Sequence, residues 1–233
     1  MTAAFILSEL LSMANPEKAA FLQGFFKTGP GQYAEGDVFL GLVAPLTRSI
    51  AKANKKIPLD ELQILIESEY HEARLCALLI VVEQFKKATE AERKKLYDFY
   101  LDNARRINNW DLVDVTCPYV VGLYLLEKDR SRLYELAESE CLWEQRIAMV
   151  STVTFIRNRE FTDTLVLAEK LMTHKHDLMH KAVGWMLREV GKKDRETLTE
   201  FLEEYATRLP RTALRYAIEH YPEEQRQYFL KKK

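Results

Sequence analysis

The chain has 233 residues, 47% of them hydrophobic, with 34 lysines and arginines against 35 aspartates and glutamates. That is enough apolar material for one large domain or two small ones with a real core. The near-cancelled charge excludes a global pull toward nucleic acid, so any polyanion would have to meet a segregated basic face. Only 8 glycines and 7 prolines argue against a loop-rich or β-rich design. Cys76, Cys117 and Cys141 are scattered and contain no CxxC pair. They support neither a disulfide framework nor a zinc ribbon, and read as buried free thiols of a reducing compartment.

In chain order, Met1 to Leu7 is apolar but short, Glu9 interrupts it, and no basic segment precedes it. A signal peptide is not expected, no run is long enough to span a bilayer, and the expectation is a soluble, cytoplasmic protein without a membrane partner. Asn15-Pro16-Glu17 is a helix start: a capping residue, then proline at the first helical position, then an acid. Residues 27–37, with Gly29, Gly31 and Gly36, form the one long irregular stretch. It lacks the Lys-Ser/Thr ending of a phosphate-binding loop and reads as an ordered connection whose glycines can let backbone approach a ligand. Thr89-Glu90-Ala91-Glu92 fits a capping box, and Asp194, Pro210 and Pro222 mark further starts. Alternating strands are absent. The pattern predicts about twelve to fourteen helices of ~10–16 residues with short connections.

These helices come in pairs. The second member of each pair begins near His71, Asn109, Leu142, Asp177 and Pro210, at intervals of 38, 33, 35 and 33 residues. Such a period predicts an all-α superhelical solenoid of helical hairpins rather than a bundle. Arg74, Arg146, Lys181 and Arg211, joined by Arg215, lie early in these inner helices. Ala77, Ala148, Ala182 and Ala213 follow them and allow close packing. Stacked side by side, the inner helices would line a concave wall with a basic stripe at helix N-termini, which favour anions. Taken singly, each of these cations also fits a solvated or ion-paired surface residue.

Trp110 and Asp114 are four residues apart, so a helix places both on one side, while Leu112, Val113, Val120 and Val121 lie largely elsewhere on the wheel. An indole and a carboxylate aimed together can stabilise a cationic ligand. Asp111 falls in the first turn, where an acid offsets the helix dipole; Asp114 is deeper and has no capping role. Lys181, Trp185 and Arg188 follow i, i+4, i+7 spacing. That pattern suits a phosphate backbone beside an aromatic contact, or equally a tryptophan covered by basic stems. Trp143 lies three residues before Arg146, and the expectation is one groove holding Trp110, Asp114, Arg146, Lys181 and Trp185. His174, His176 and His180 have partly metal-compatible spacing, but no HExxH motif accompanies them. No metal and no cofactor is expected.

The motifs Asn108-Asn109-Trp110-Asp111-Leu112-Val113-Asp114, Trp143-Glu144-Gln145-Arg146-Ile147-Ala148 and His180-Lys181-Ala182-Val183-Gly184-Trp185-Met186-Leu187-Arg188-Glu189 together carry a resemblance. With Phe39-Leu40-Gly41, Pro45…Arg48 and Pro210-Arg211-Thr212-Ala213-Leu214-Arg215-Tyr216-Ala217, the chain resembles the AlkD-type DNA alkylation-repair glycosylases over most of its length. The resemblance implies a single domain of HEAT-like repeats over residues 1–233, with N-terminal helices and a connection at 1–56 and a concave DNA groove built from 57–233. It implies hydrolysis of the N-glycosidic bond of purines alkylated at N3 or N7 in double-stranded DNA. A monomer is expected, since no sticky apolar helix suggests more. By this likeness Asp114 is the catalytic carboxylate, Trp110 and Trp185 flank the deoxyribose, and Arg146 contacts the backbone. Lys181, Arg188, Arg211 and Arg215 extend the DNA-binding set by helical phase. Two alternatives stand beside the enzyme: a non-catalytic DNA-binding repeat protein, and a protein-binding scaffold whose concave cations pair with neighbouring acids.

Overall fold

A computed structural model describes residues 1–232, and these are all-α, with one isolated parallel bridge between Val38 and Tyr70. The contacts divide the chain into two compact units, Met1–Thr116 and Cys117–Lys233.

The first unit contains α1 (Ala3–Ser12), α2 (Pro16–Phe25), α3 (Ala44–Ala53), α4 (Leu59–Ile66), α5 (His71–Phe85), α6 (Glu90–Asp102), a 3₁₀ turn at Ala104–Arg106, and α7 (Trp110–Asp114). The start signals act as the sequence predicts. Asn15 accepts from the Lys18 N–H with Pro16 at the head of α2. Thr89 and Glu92 cap each other reciprocally at α6. Helix α5 is apolar on nearly every side from Leu75 to Val82 and is buried throughout, as a helix without a polar face must be. It packs against α3, α4 and α6. The chain reaches α5 through the bridge, where the His71 N–H donates to the Val38 carbonyl at 2.8 Å.

The second unit contains a π turn at Pro118–Gly122, α8 (Leu123–Leu125), α9 (Ser131–Glu138), α10 (Leu142–Ser151), α11 (Val153–Arg157), α12 (Thr162–Leu171), α13 (Asp177–Lys193), α14 (Arg195–Tyr205), α15 (Arg211–Ala217) and α16 (Glu223–Lys231). Helix α13 is its hub, packed against α10, α11, α12, α14 and α15. Gly184 makes the α13–α15 approach possible: a Cβ there would sit 2.4 Å from the Ala213 carbonyl oxygen. The alanines at 77, 148, 182 and 213 are all fully buried.

The predicted pair starts hold closely. Helices α5, α10 and α13 begin at His71, Leu142 and Asp177, and Asn109 and Pro210 are the residues just before α7 and α15. The elements themselves are more broken than the pattern suggests. Helix α7 has 5 residues, α8 has 3 and α11 has 5. Beyond α7 the cause is local: the Thr116 hydroxyl bonds the Leu112 carbonyl, and Pro118 brings no N–H. Cys76 and Cys117 are buried and outside any disulfide, whereas Cys141 is half-buried at the head of α10. Among the described residues, no helix is long and apolar enough to cross a membrane.

Candidate functional site

Helix α7 is short and heavily anchored. The Asn109 side chain accepts from the Trp110 N–H at 2.9 Å, and Asp111 Oδ1 accepts from the Leu112 N–H at 2.9 Å. Leu112 and Val113 are fully buried, which leaves Trp110, Asp111 and Asp114 half-buried. The indole of Trp110 stacks on Phe26, with centroids 5.2 Å apart and planes 26° from parallel. Phe25 meets it edge-on at 6.2 Å, and its Nε1–H donates to the Tyr33 hydroxyl at 3.3 Å. A ring held from two sides and by its N–H keeps its orientation without a ligand. Asp114 closes the helix one turn beyond.

Tyr33 gives the irregular 27–37 segment a role in holding Trp110. Gly31 and Gly36 have φ of 73° and 83° and serve its turns. Gly41, with φ of 85°, lets the chain pass close to the Asn15 carbonyl at the head of α2.

Beneath Trp110 lies a network that the sequence did not reveal. His71 Nδ1 donates to Asp37 Oδ2 at 3.1 Å, and its Nε2 donates to Asp111 Oδ2 at 2.9 Å. Asp37 also receives Arg74 Nη2 at 2.5 Å, Asn108 Nδ2 at 3.1 Å and Asn109 Nδ2 at 3.5 Å. The His71 ring lies against Phe39, centroids 4.3 Å apart, and near Phe26 at 5.4 Å. Burial alone would lower the imidazole's pKa; the charges and hydrogen bonds of Asp111 and Asp37 outweigh it and push the value up to about 9. Burial likewise opposes ionisation of Asp37, but the hydrogen bond from His71 and the Arg74 charge hold its carboxyl below the ordinary range. Two expectations are corrected here. Asp111 does more than offset a helix dipole, because it is a ligand of His71. Arg74 does not join an exposed stripe, because it is buried, paired with Asp37 and bonded to the Ser68 and Glu69 carbonyls. A signal was present: four polar residues from Ser68 to His71 and then Glu72 and Arg74 lead directly into the apolar run of α5. Polar groups at the mouth of a buried helix must find partners.

In the second unit, Lys181, Trp185 and Arg188 stand together on α13 as their spacing predicts. Trp185 is half-buried and its Nε1–H donates to Glu189 Oε1 at 3.2 Å. Lys181 pairs with Asp177 at 2.8 Å. Arg188 pairs with Glu219 and lies 5.8 Å from the centre of the Tyr216 ring. Arg146 is only 4% exposed and donates from Nη1 to the Leu178 carbonyl at 2.5 Å, tying α10 to α13; Trp143 is buried as well. Arg211 and Arg215 are exposed, and Arg211 donates to the Leu230 carbonyl at 2.8 Å. The histidine trio serves the start of α13. His176 accepts from the Leu178 N–H at 3.1 Å, His174 accepts from the His176 N–H at 3.0 Å, and His180 meets the His174 carbonyl. Among the described residues, no group of three or more His, Cys, Asp or Glu is placed to hold a metal ion.

Residues 6–221 match the model of a family described as DNA alkylation repair enzyme. The structure is similar to a solved protein titled "Predicted DNA alkylation repair enzyme from Enterococcus faecalis", with a TM-score of 0.69, 18% identity, and coverage of 90% of this chain and 97% of that one. At that identity the likeness speaks to the fold. No curated protein matches the chain.

Proposed function

The chain belongs to the DNA alkylation repair enzyme family, and from that premise we propose that it is an alkylpurine DNA glycosylase. Its substrate is a purine alkylated at N3 or N7 in double-stranded DNA. Alkylation there places a positive charge on the base. The bond between the base nitrogen and C1′ breaks with its electron pair going to the purine, which leaves neutral. The sugar becomes an oxocarbenium ion, and water adds at C1′ and loses a proton. No general acid is needed at the base. Asp114 stabilises the sugar cation and orients the attacking water, and the face of Trp110 favours the same charge through its quadrupole; the resemblance of the sequence assigns that role to Trp185 as well. Arg188, Lys181, Arg211 and Arg215 meet the phosphates, and Arg146 supports that surface by joining α10 to α13. No cofactor takes part.

One observation carries this reading. Helix α7 buries Leu112 and Val113 while leaving Trp110 and Asp114 half-exposed one turn apart, with the indole already clamped. The test is release of 7-methylguanine or 3-methyladenine from methylated DNA by the purified protein. Wild-type protein is expected to release base, and Asp114→Asn to lose about a hundredfold or more in rate. No release at protein concentrations that saturate DNA rejects the proposal.

A second reading, the protein-binding helical scaffold, is favoured by the pairing of Lys181 with Asp177 and of Arg188 with Glu219. Exposed pairs of this kind are worth at most about 1 kcal/mol, so a phosphate can displace them. Salt-dependent DNA binding separates the two readings, because the scaffold predicts none.

A further inference from the structure

We propose that His71 is a positioning residue for the reaction assigned to Trp110 and Asp114: it fixes α7 through Asp111 and supports the Trp110 ring through Phe26. The inference rests on the glycosylase reading for its activity arm but not for its structural arm.

The geometry is specific. One imidazole joins three segments far apart in the chain: Asp37 in the connection before α3, His71 at the head of α5, and Asp111 in the first turn of α7. A buried protonated imidazole has two N–H donors to satisfy. Here both ring nitrogens are used, and both acceptors are carboxylates. Asp111 spends its other oxygen on the Leu112 N–H, so the His71 bond sets the rotation of α7 about its own axis. Five residues give that helix one internal turn, too little to hold itself. The rings form a second path. Phe26 lies over His71 on one side and is stacked on Trp110 on another. Both paths from His71 end at the indole, and Asp114 follows on the same helix.

The charges balance locally. His71 and Arg74 face Asp37 and Asp111, while Glu72, next to His71 on α5, is held by the N–H groups of Leu40, Gly41 and Leu42. Lys18 on α2 lines the same cavity of about 220 Å³ as His71, Glu72 and Asp111. The network therefore adds little net charge beside the site, as suits a reaction that builds positive charge on the sugar. His71 does not touch DNA in this scheme; it acts on where Trp110 and Asp114 stand.

The decisive variant is His71→Gln, compared with the double variant His71→Gln/Asp111→Asn. A glutamine amide has one donating end, its NH2, and one accepting end, its carbonyl oxygen, so facing two carboxylates it leaves a repulsive contact; an asparagine at 111 turns that contact into a hydrogen bond. With H71Q folded by circular dichroism, kcat for base release is expected to fall about ten- to a hundredfold with KM little changed, since displacement of catalytic groups costs rate before binding. The double variant is expected to recover most of the loss. Carried in a W143F/W185F background, where Trp110 is the remaining indole, H71Q is expected to shift the emission maximum of Trp110. Unchanged kcat and unchanged emission in folded H71Q overturn the proposal. Should H71Q fail to fold, the pH profile of the unaltered protein decides. After subtraction of uncatalysed release, kcat is expected to fall on an alkaline limb near 9, where His71 loses its proton, and a flat profile between about pH 7 and 9.5 overturns the proposal. An emission shift in H71Q with no base release from wild-type protein upholds the positioning role and removes the glycosylase reading.

Discussion

Residue 146 shows how a side chain's chemistry can be legible while its duty is not. Its place among the basic residues of the inner helices suggested a cation reaching for phosphate, but the guanidinium is buried and spent on the Leu178 carbonyl. Removing it takes a charged donor from that carbonyl and opens space in the α10–α13 contact. Arg146→Ala is therefore expected to lower stability by about 2–4 kcal/mol, read as a drop in the urea midpoint. A loss of activity in that variant is to be interpreted only beside its stability. An unchanged midpoint would refute that structural role. Trp110 and Asp114 differ from it in kind, since their relation is set by four residues of one helix, and spacing alone brings them to one side.

Elements were readable wherever the signal is local. The capping box at Thr89 and Glu92 forms as its pattern requires. Thr89→Ala is expected to cost about 1 kcal/mol by thermal melting, with base release unaffected, since α6 carries none of the proposed site. Gly41 makes the opposite case. Its positive φ and the 2.2 Å that would separate an added Cβ from the Asn15 carbonyl leave no cheap adjustment, because the obstacle is backbone. Gly41→Ala is expected to cost more than about 2 kcal/mol and to loosen α2, which supports Trp110 through Phe25. Equal melting temperatures for wild type and G41A would refute that account. The shortness of α7 was not legible, because a helical pattern continues past Asp114 into Val120 and Val121; the break comes from Thr116 bonding backward and from Pro118.

For the whole molecule, charge and pH carry the predictions. Net charge is -1, so DNA binding must depend on a few segregated cations. Among the described residues, Arg211 and Arg215 make no ion pair, whereas Lys181 and Arg188 must first leave their acids. A plot of log affinity against log salt is expected to have a slope of about -2 to -4, at roughly 0.9 per phosphate contact; a slope steeper than about -6 would reveal cations outside the named set. Stability is expected to follow the His71 network. The folded pKa of His71, about 9, exceeds its ordinary 6.5, so its contribution is complete below 6.5 and is lost as pH rises through about 9. Asp37 is held below its ordinary 3.8, so its contribution is present above that value and is lost as pH falls through the lowered one. The melting temperature should thus be highest between about pH 4 and 6.5 and decline toward 9, and His71→Gln should flatten the alkaline decline. A wild-type melting temperature that rises from pH 6.5 to 9 contradicts the assignment.

By itself the amino-acid order determined the helical class, the recurrence of paired helices, where most of them start, and the common face of Trp110 with Asp114. Each of these depends on residues within a turn or two of one another, where capping, proline and the 3.6-residue period act without outside help. Only the tertiary structure decided that His71 and Arg74 share Asp37, that His71 also takes Asp111, and that Arg146 reaches Leu178, all partners between 32 and 40 residues away along the chain. A buried charge is satisfied by whatever acceptor folding brings beside it, and that choice is written in packing rather than in any local pattern.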